Sequence, residues 1–162
     1  MASGKSTVGR ELAVMLNIPF YDLDQEIEQS EGKTITTLFS ELGESYFRAR
    51  EMAMLQTLAV RQQPSVIATG GGLPCNPGAI DLLLSSGTVF YLKCDSATLL
   101  ARLHNESRSR PLAPKNETEL RQHLSTRESY YERAHLTVDG TLPVERVVDS
   151  IRHLIQPSAS GA

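Results

Sequence analysis

The sequence has little of what would tie it to a membrane, an oxidising compartment or a nucleic acid. No apolar run approaches the ~20 residues that span a bilayer, and no secretory leader is expected. Cysteine occurs only at Cys75 and Cys94, too few for a disulfide framework and without metal-ligand spacing, which fits a reducing cytoplasm. His104, His123, His135 and His153 are scattered without ligand spacing and read as surface or boundary residues. A formal net charge of −3 leaves no electrostatic footprint for nucleic acid. No internal repeat is visible. Membrane binding, nucleic-acid binding and a disulfide-stapled secreted fold are therefore not expected.

What remains is an ordinary globular composition, 40% hydrophobic and 22% charged, in 162 residues. That length suits one domain, expected over residues 1–155, with a disordered tail at 156–162. Short apolar runs alternate with helical patterns. Strands are expected at Ile18–Leu23, Ser65–Thr69, Thr88–Leu92 and His135–Val138. Helices are expected after Gly4, at Thr34–Leu42, Glu44–Arg61, Pro77–Ser85, Ser96–His104 with Ser96 as N-cap, Glu117–Arg133 and Pro143–Ile155. Such alternation predicts an α/β fold, a parallel sheet covered by helices on both faces. Ligands of such sheets sit beyond the carboxyl ends of the strands.

The chemistry-bearing residues follow that rule. Ser3-Gly4-Lys5-Ser6-Thr7 reads as the second half of a phosphate-binding loop that opens a helix. Gly4 lets the backbone approach a polyphosphate, Lys5 can reach its outer phosphates, and the Ser6 hydroxyl can ligate Mg²⁺. The full pattern asks for a further glycine five positions before Gly4. Asp22 and Asp24 end one strand, on one face a pleat apart, and Gly70-Gly71-Gly72 ends another. Three consecutive glycines carry a large entropic cost, which a close approach of backbone to ligand would justify. Cys75, just beyond, reads as a small apolar filler. The polar stretch 105–117, with two prolines, reads as a lid.

Taken in order, Gly4-Lys5-Ser6-Thr7-Val8-Gly9-Arg10, Asp22-Leu23-Asp24, Phe47-Arg48-Ala49-Arg50-Glu51, Gly70-Gly71-Gly72, Arg110-Pro111-Leu112 and Arg127-Glu128-Ser129-Tyr130-Tyr131 resemble the shikimate kinase family along essentially the whole chain. The resemblance implies a three-layer α/β/α phosphate-loop fold, similar to nucleoside monophosphate kinases, with a five-stranded parallel sheet. It implies transfer of the ATP γ-phosphoryl group to the 3-hydroxyl of shikimate, with one Mg²⁺ ion, by a cytoplasmic monomer. Ser3, Gly4, Lys5, Ser6 and Thr7 would hold the phosphates, Ser6 and Asp22 the metal, and Asp24 would bind substrate hydroxyls and act as the base. Arg48 and Arg127 would grip the substrate carboxylate, with Phe47, Glu51, Gly71 and Gly72 shaping the pocket. Lys5 and the lid residue Arg110 would stabilise charge during transfer, with Arg102 and Arg108 nearby, and Arg102 would contact adenine. The family's further adenine contact after the last strand has no clear counterpart, because Asp139–Leu142 is short.

Two other readings stay open at this level. A kinase acting on gluconate would share the loop and the lid, and the lid spacing leans that way. The combination of Asp24, Arg48 and Arg127 instead suits a carboxylate with neighbouring hydroxyls. The second reading is a nucleotide-binding protein without catalysis. Its motive is that the family's first strand and first loop glycine lie outside the written sequence. A chain lacking both is expected to be weakly stable and to bind ATP poorly.

Overall fold

A computed structural model of the chain describes residues 2–105, 114 and 116–155. Helix α1 (Lys5–Leu16) leads to strand β1 (Phe20–Asp22), helices α2 (Leu23–Glu31) and α3 (Ile35–Ala59), and strand β2 (Val66–Ala68). A 3-10 turn (Leu73–Cys75) and helix α4 (Ala79–Ser86) precede strand β3 (Phe90–Lys93). Helices α5 (Ser96–Asn105), α6 (Glu117–Ser125) and α7 (Glu128–Tyr131), strand β4 (Leu136–Asp139) and helix α8 (Val144–Ile155) complete the described chain.

The strands form two parallel pairs. β1 runs beside β2 from Phe20↔Val66 to Asp22↔Ala68, and β3 beside β4 from Phe90↔Leu136 to Lys93↔Asp139. Among the described residues no ladder joins β2 to β3. The period-two alternation of a strand sends neighbouring side chains to opposite faces. Val66 packs with Val8 and Leu12 of α1 and Val147, Val148 and Ile151 of α8. Ile67, its neighbour, joins Tyr21 on the other face, against Leu23, Ile27, Leu55 and Leu58 of α2 and α3. Helices thus cover both faces, as a three-layer α/β/α fold requires. A smaller cluster of Ala2, Cys94, Leu99 and Leu120 anchors α5 and α6 near the end of β3.

Several elements differ from the sequence reading. The first strand is short, because the Asp22 carboxylate accepts from Asp24 N at 3.2 Å and caps a new helix. Leu23 and Ile27, one turn apart and fully buried, hold that helix down. Asp24 therefore lies in the first turn of α2, not one pleat along a strand. The helix expected over Glu117–Arg133 is broken, since the Thr126 hydroxyl bonds back to Gln122 O at 3.1 Å and ends α6. Asp95, not Ser96, caps α5: its carboxylate accepts from Thr98 N at 2.7 Å and Thr98 Oγ1 at 3.0 Å, which holds Asp95 below the usual carboxylate range. The lid over 105–117 falls mostly on residues outside those described, and the tail at 156–162 wholly so.

Helix α3 keeps the expected division at Gly43, whose φ of 80° and ψ of 171° interrupt an otherwise continuous helix. Nothing lies within 4 Å of a Cβ placed there, so crowding is no obstacle to a side chain. The backbone is, because that region of conformational space is essentially reserved for glycine. Gly43→Ala should cost about 1–3 kcal/mol, seen as a lower urea midpoint at unchanged slope. An unchanged midpoint would mean that the bend is not required by the fold.

Candidate active site

The phosphate turn is built by left-handed backbone. Gly4, at φ 86° and ψ 13°, is the N-cap of α1 and offers no capping side chain, so the first amides of the helix point to where an anion would lie. Val8 N closes the first helical turn on Gly4 O at 2.9 Å. Lys5 Nζ donates to Ser3 Oγ at 3.3 Å, and Thr7 is exposed. Ser6 Oγ donates to Asp22 Oδ2 at 2.5 Å, which brings the loop hydroxyl to the end of β1. Arg102 Nη1 donates to Gly140 O at 2.9 Å and would lie 3.9 Å from a Cβ on Gly4. The phosphate turn, Arg102 and the short loop after β4 therefore converge.

The second half of the site hangs on α3. Arg48 and Glu51 are one turn apart on the same helical face, and Arg48 Nη1 donates to Glu51 Oε2 at 2.7 Å. Arg48 Nε and Nη2 donate to Glu44 Oε1 at 3.1 and 2.9 Å. The guanidinium also lies 5.6 Å from the ring centroid of Phe47, a buried residue packed on Phe39. Glu51 is only 1% exposed and accepts a second hydrogen bond, from Asn76 Nδ2 at 3.4 Å.

The triple glycine closes on these groups. A Cβ on Gly70 would meet Glu51 Oε1 at 2.8 Å and Asp24 Oδ1 at 3.2 Å. One on Gly72 would strike the Arg48 guanidinium at 2.6 Å. Gly71 O accepts from Tyr131 Oη at 2.6 Å, which ties α7 to the turn. Arg127 sits in the break between α6 and α7. It joins Arg48, Gly72, Cys75 and Asn76 around a cavity of about 580 Å³. Cys75 thus lines the cavity, with its thiol pushed up by burial against the pull of Arg127 and Arg48.

Sequence reasoning missed four contributors. Gly70 lies within the glycine run and Tyr131 within Arg127–Tyr131, but neither has a role legible in the sequence. Glu44 stands one turn before Arg48, a spacing that could have paired them. Asn76 gives no sequence signal. Arg110 and Arg108 lie outside the described residues.

A metal cluster of three or more His, Cys, Asp or Glu side chains is absent among the described residues. Ser6 and Asp22 nevertheless fit a Mg²⁺ ion, which keeps several waters and needs only one or two protein oxygens. The 2.5 Å approach of hydroxyl to carboxylate places both donors at one point.

The parallel strands, the glycine-capped helix and an arginine-lined cavity together define a phosphate-loop phosphotransferase of the α/β class. The sequence profile described as shikimate kinase matches residues 1–156. The shikimate kinase of Aquifex aeolicus is 38% identical over 161 residues, 99% of this chain and 95% of that protein. Its crystal structure superposes with a TM-score of 0.86, over 100% of this chain and 95% of that one. The enzyme from Acinetobacter baumannii, solved in complex with shikimate, gives a TM-score of 0.89 at 35% identity, over 96% of this chain and 88% of that one. This chain belongs to the shikimate kinase family. A gluconokinase from Sinorhizobium meliloti, at 20% identity and a TM-score of 0.57 over 96% of this chain and 93% of that one, shares the fold alone.

Burial raises the Glu51 carboxyl above its ordinary value, against the opposing pull of Arg48. The Arg48 guanidinium is itself partly desolvated, which works against its charge, but its bonds to Glu51 and Glu44 outweigh this and raise its pKa. Because the folded value of Glu51 lies above the unfolded one, its contribution to stability is fullest below the unfolded value and is lost as pH rises through the folded one. A carbon-detected NMR titration should place Glu51 above an exposed glutamate, and Arg48→Met should move it further up. A midpoint at or below the ordinary value would contradict this account.

Proposed function

We propose that this chain transfers the γ-phosphoryl group of ATP to the 3-hydroxyl of shikimate, giving 3-phosphoshikimate for aromatic amino acid biosynthesis. One observation carries the reading: Arg48 and Arg127, from separate elements, meet at one cavity beside the triple glycine, against which Asp24 also packs. Two guanidiniums suit a small carboxylate, which their planar forks can bind in bidentate fashion. In this reading Asp24 takes the proton of the attacking hydroxyl. As that oxygen bonds to the γ-phosphorus, the bond from phosphorus to the bridging oxygen breaks and ADP leaves. Such transfer depends on alignment and charge neutralisation, not on a covalent enzyme intermediate.

Lys5 and the amides from Gly4 to Thr7 would hold the phosphates, and Ser3 steadies Lys5. One Mg²⁺, held by Ser6 and Asp22, supplies charge neutralisation on the phosphate oxygens when bound. Arg102, bonded to Gly140 O, would contact adenine, and Arg110 would act from the lid. Phe47 and Glu51 set the direction of Arg48, while Gly71 and Gly72 let the backbone approach the substrate. The working unit in this reading is a cytoplasmic monomer, in keeping with the free thiols of Cys75 and Cys94.

A substrate panel tests the assignment, with shikimate turned over and gluconate not; strong turnover of gluconate alone would overturn it. Asp24→Asn should lower kcat about 10²–10⁴-fold with ATP affinity nearly intact, and an active Asn variant would remove Asp24 as the base. Arg127→Ala should raise the KM for shikimate roughly 10–100-fold, the loss expected for a charge-assisted hydrogen bond, with a smaller change in kcat.

A further inference from the structure

One side chain from α7 grips the middle of the glycine turn. Three consecutive glycines leave their peptide planes free to rotate, since no Cβ restricts φ and ψ. The outer carbonyls of the turn are held by its own backbone. Leu73 N donates to Gly70 O at 3.2 Å, and Cys75 N to Gly72 O at 3.1 Å. The carbonyl between them is held from outside: Gly71 O accepts from Tyr131 Oη, 60 positions along the chain, at 2.6 Å. The tyrosine is itself fixed. Its ring packs at 38° to that of Tyr91, with centroids 5.2 Å apart, and its backbone N–H donates to Arg127 O at 3.1 Å.

A peptide plane has two ends. In the trans form its C=O and N–H point in opposite directions, and the Gly71–Gly72 bond is trans. Holding Gly71 O toward α7 therefore turns Gly72 N–H away from it. Gly71 and Tyr131 border the space beside the strands, whereas Gly72 lines the cavity shared with Arg48 and Arg127. Among the described residues, Gly72 N has no backbone acceptor. Burial pushes the Tyr131 phenol above its ordinary value, against the pull of Arg127, a charged and hydrogen-bonding neighbour. The hydroxyl thus keeps its proton at neutral pH, commits it to Gly71 O, and turns its lone pairs to the guanidinium.

We propose that Tyr131 is a positioning residue for the substrate carboxylate: its hydroxyl sets the Gly71–Gly72 peptide so that Gly72 N–H joins Arg48 and Arg127 as a donor. This role rests on the shikimate reading given above. Without the hydroxyl nothing from α7 holds the peptide, and a flipped plane would turn a carbonyl oxygen toward the incoming anion. The groups also run head to tail, from the Arg127 guanidinium through the phenol and the peptide to the carboxylate. Hydrogen bonds aligned in that way polarise one another. Tyr131 therefore couples the two sides of the carboxylate grip, because Arg127 and the glycine turn share its hydroxyl.

Tyr131→Phe tests this, since the ring keeps its place against Tyr91 and only the hydroxyl is lost. The Gly71 carbonyl carbon should move upfield in the variant's NMR spectrum, the sign of a lost hydrogen bond. The KM for shikimate should rise about tenfold, the loss expected for one hydrogen bond to a charged group, and by a larger factor than kcat falls. In the wild-type chain, bound shikimate should move the Gly72 amide proton downfield, and that shift should shrink in Tyr131→Phe. A Gly72 amide that stays silent while the wild-type chain binds shikimate would overturn the role, whatever the variant's stability. So would an unmoved Gly71 carbonyl, or an unmoved KM in a variant whose carbonyl has shifted. A wild-type chain that neither binds nor phosphorylates shikimate would overturn the substrate reading and this role together, an outcome distinct from tight binding with a silent Gly72.

Discussion

One buried carboxylate sets the geometry around the triple glycine. Glu51 is almost wholly removed from water, and a charge in that position must be paired and hydrogen-bonded. It draws Arg48 from its own helix, Asn76 from beyond the 3-10 turn, and the glycine run close against it. Breaking a buried pair by deleting one partner costs about 3–5 kcal/mol, since the remaining charge is left uncompensated. The arrangement also divides the work of two glutamates. Glu51 fixes the guanidinium from the inside, while the exposed Glu44 holds it from the solvent side, where an incoming carboxylate would compete.

The phosphate turn depends on a different principle. There the backbone does most of the positioning: a left-handed glycine, an uncapped helix start and a strand end brought together by the Ser6–Asp22 contact. Both halves gather at the carboxyl ends of parallel strands, where loops are free to vary while the layers behind them stay packed. Arg102 shows the economy of that placement. From α5 it reaches the loop after β4 and also approaches the turn before α1, so three segments distant in sequence share one cation.

Much of this was legible in the amino acids. Glycine runs, paired aspartates and arginines in a fixed order named the family, and the period of the apolar residues placed the layers. What escaped was decided by local competition. Asp22 could end a strand or cap a helix, and the cap won because Leu23 and Ile27 had a core to enter. Thr126 could continue a helix, but its hydroxyl took the carbonyls one turn back. Asn76 could not be read at all, because its partner lies 25 positions away and only folding brings them together.

The packing of the first helix on the last carries a consequence for how the protein is made. Val8 and Leu12 of α1 share a cluster with Val147, Val148 and Ile151 of α8. The β1–β2 ladder closes within the first half of the chain and the β3–β4 ladder within the second. During synthesis each ladder can form soon after its own residues emerge, because each loop to be closed is modest. Among the described elements, the apolar face of α1 waits longest for its partner. A nascent chain of this kind carries an uncovered hydrophobic stripe until α8 has left the ribosome, the interval in which aggregation competes with folding.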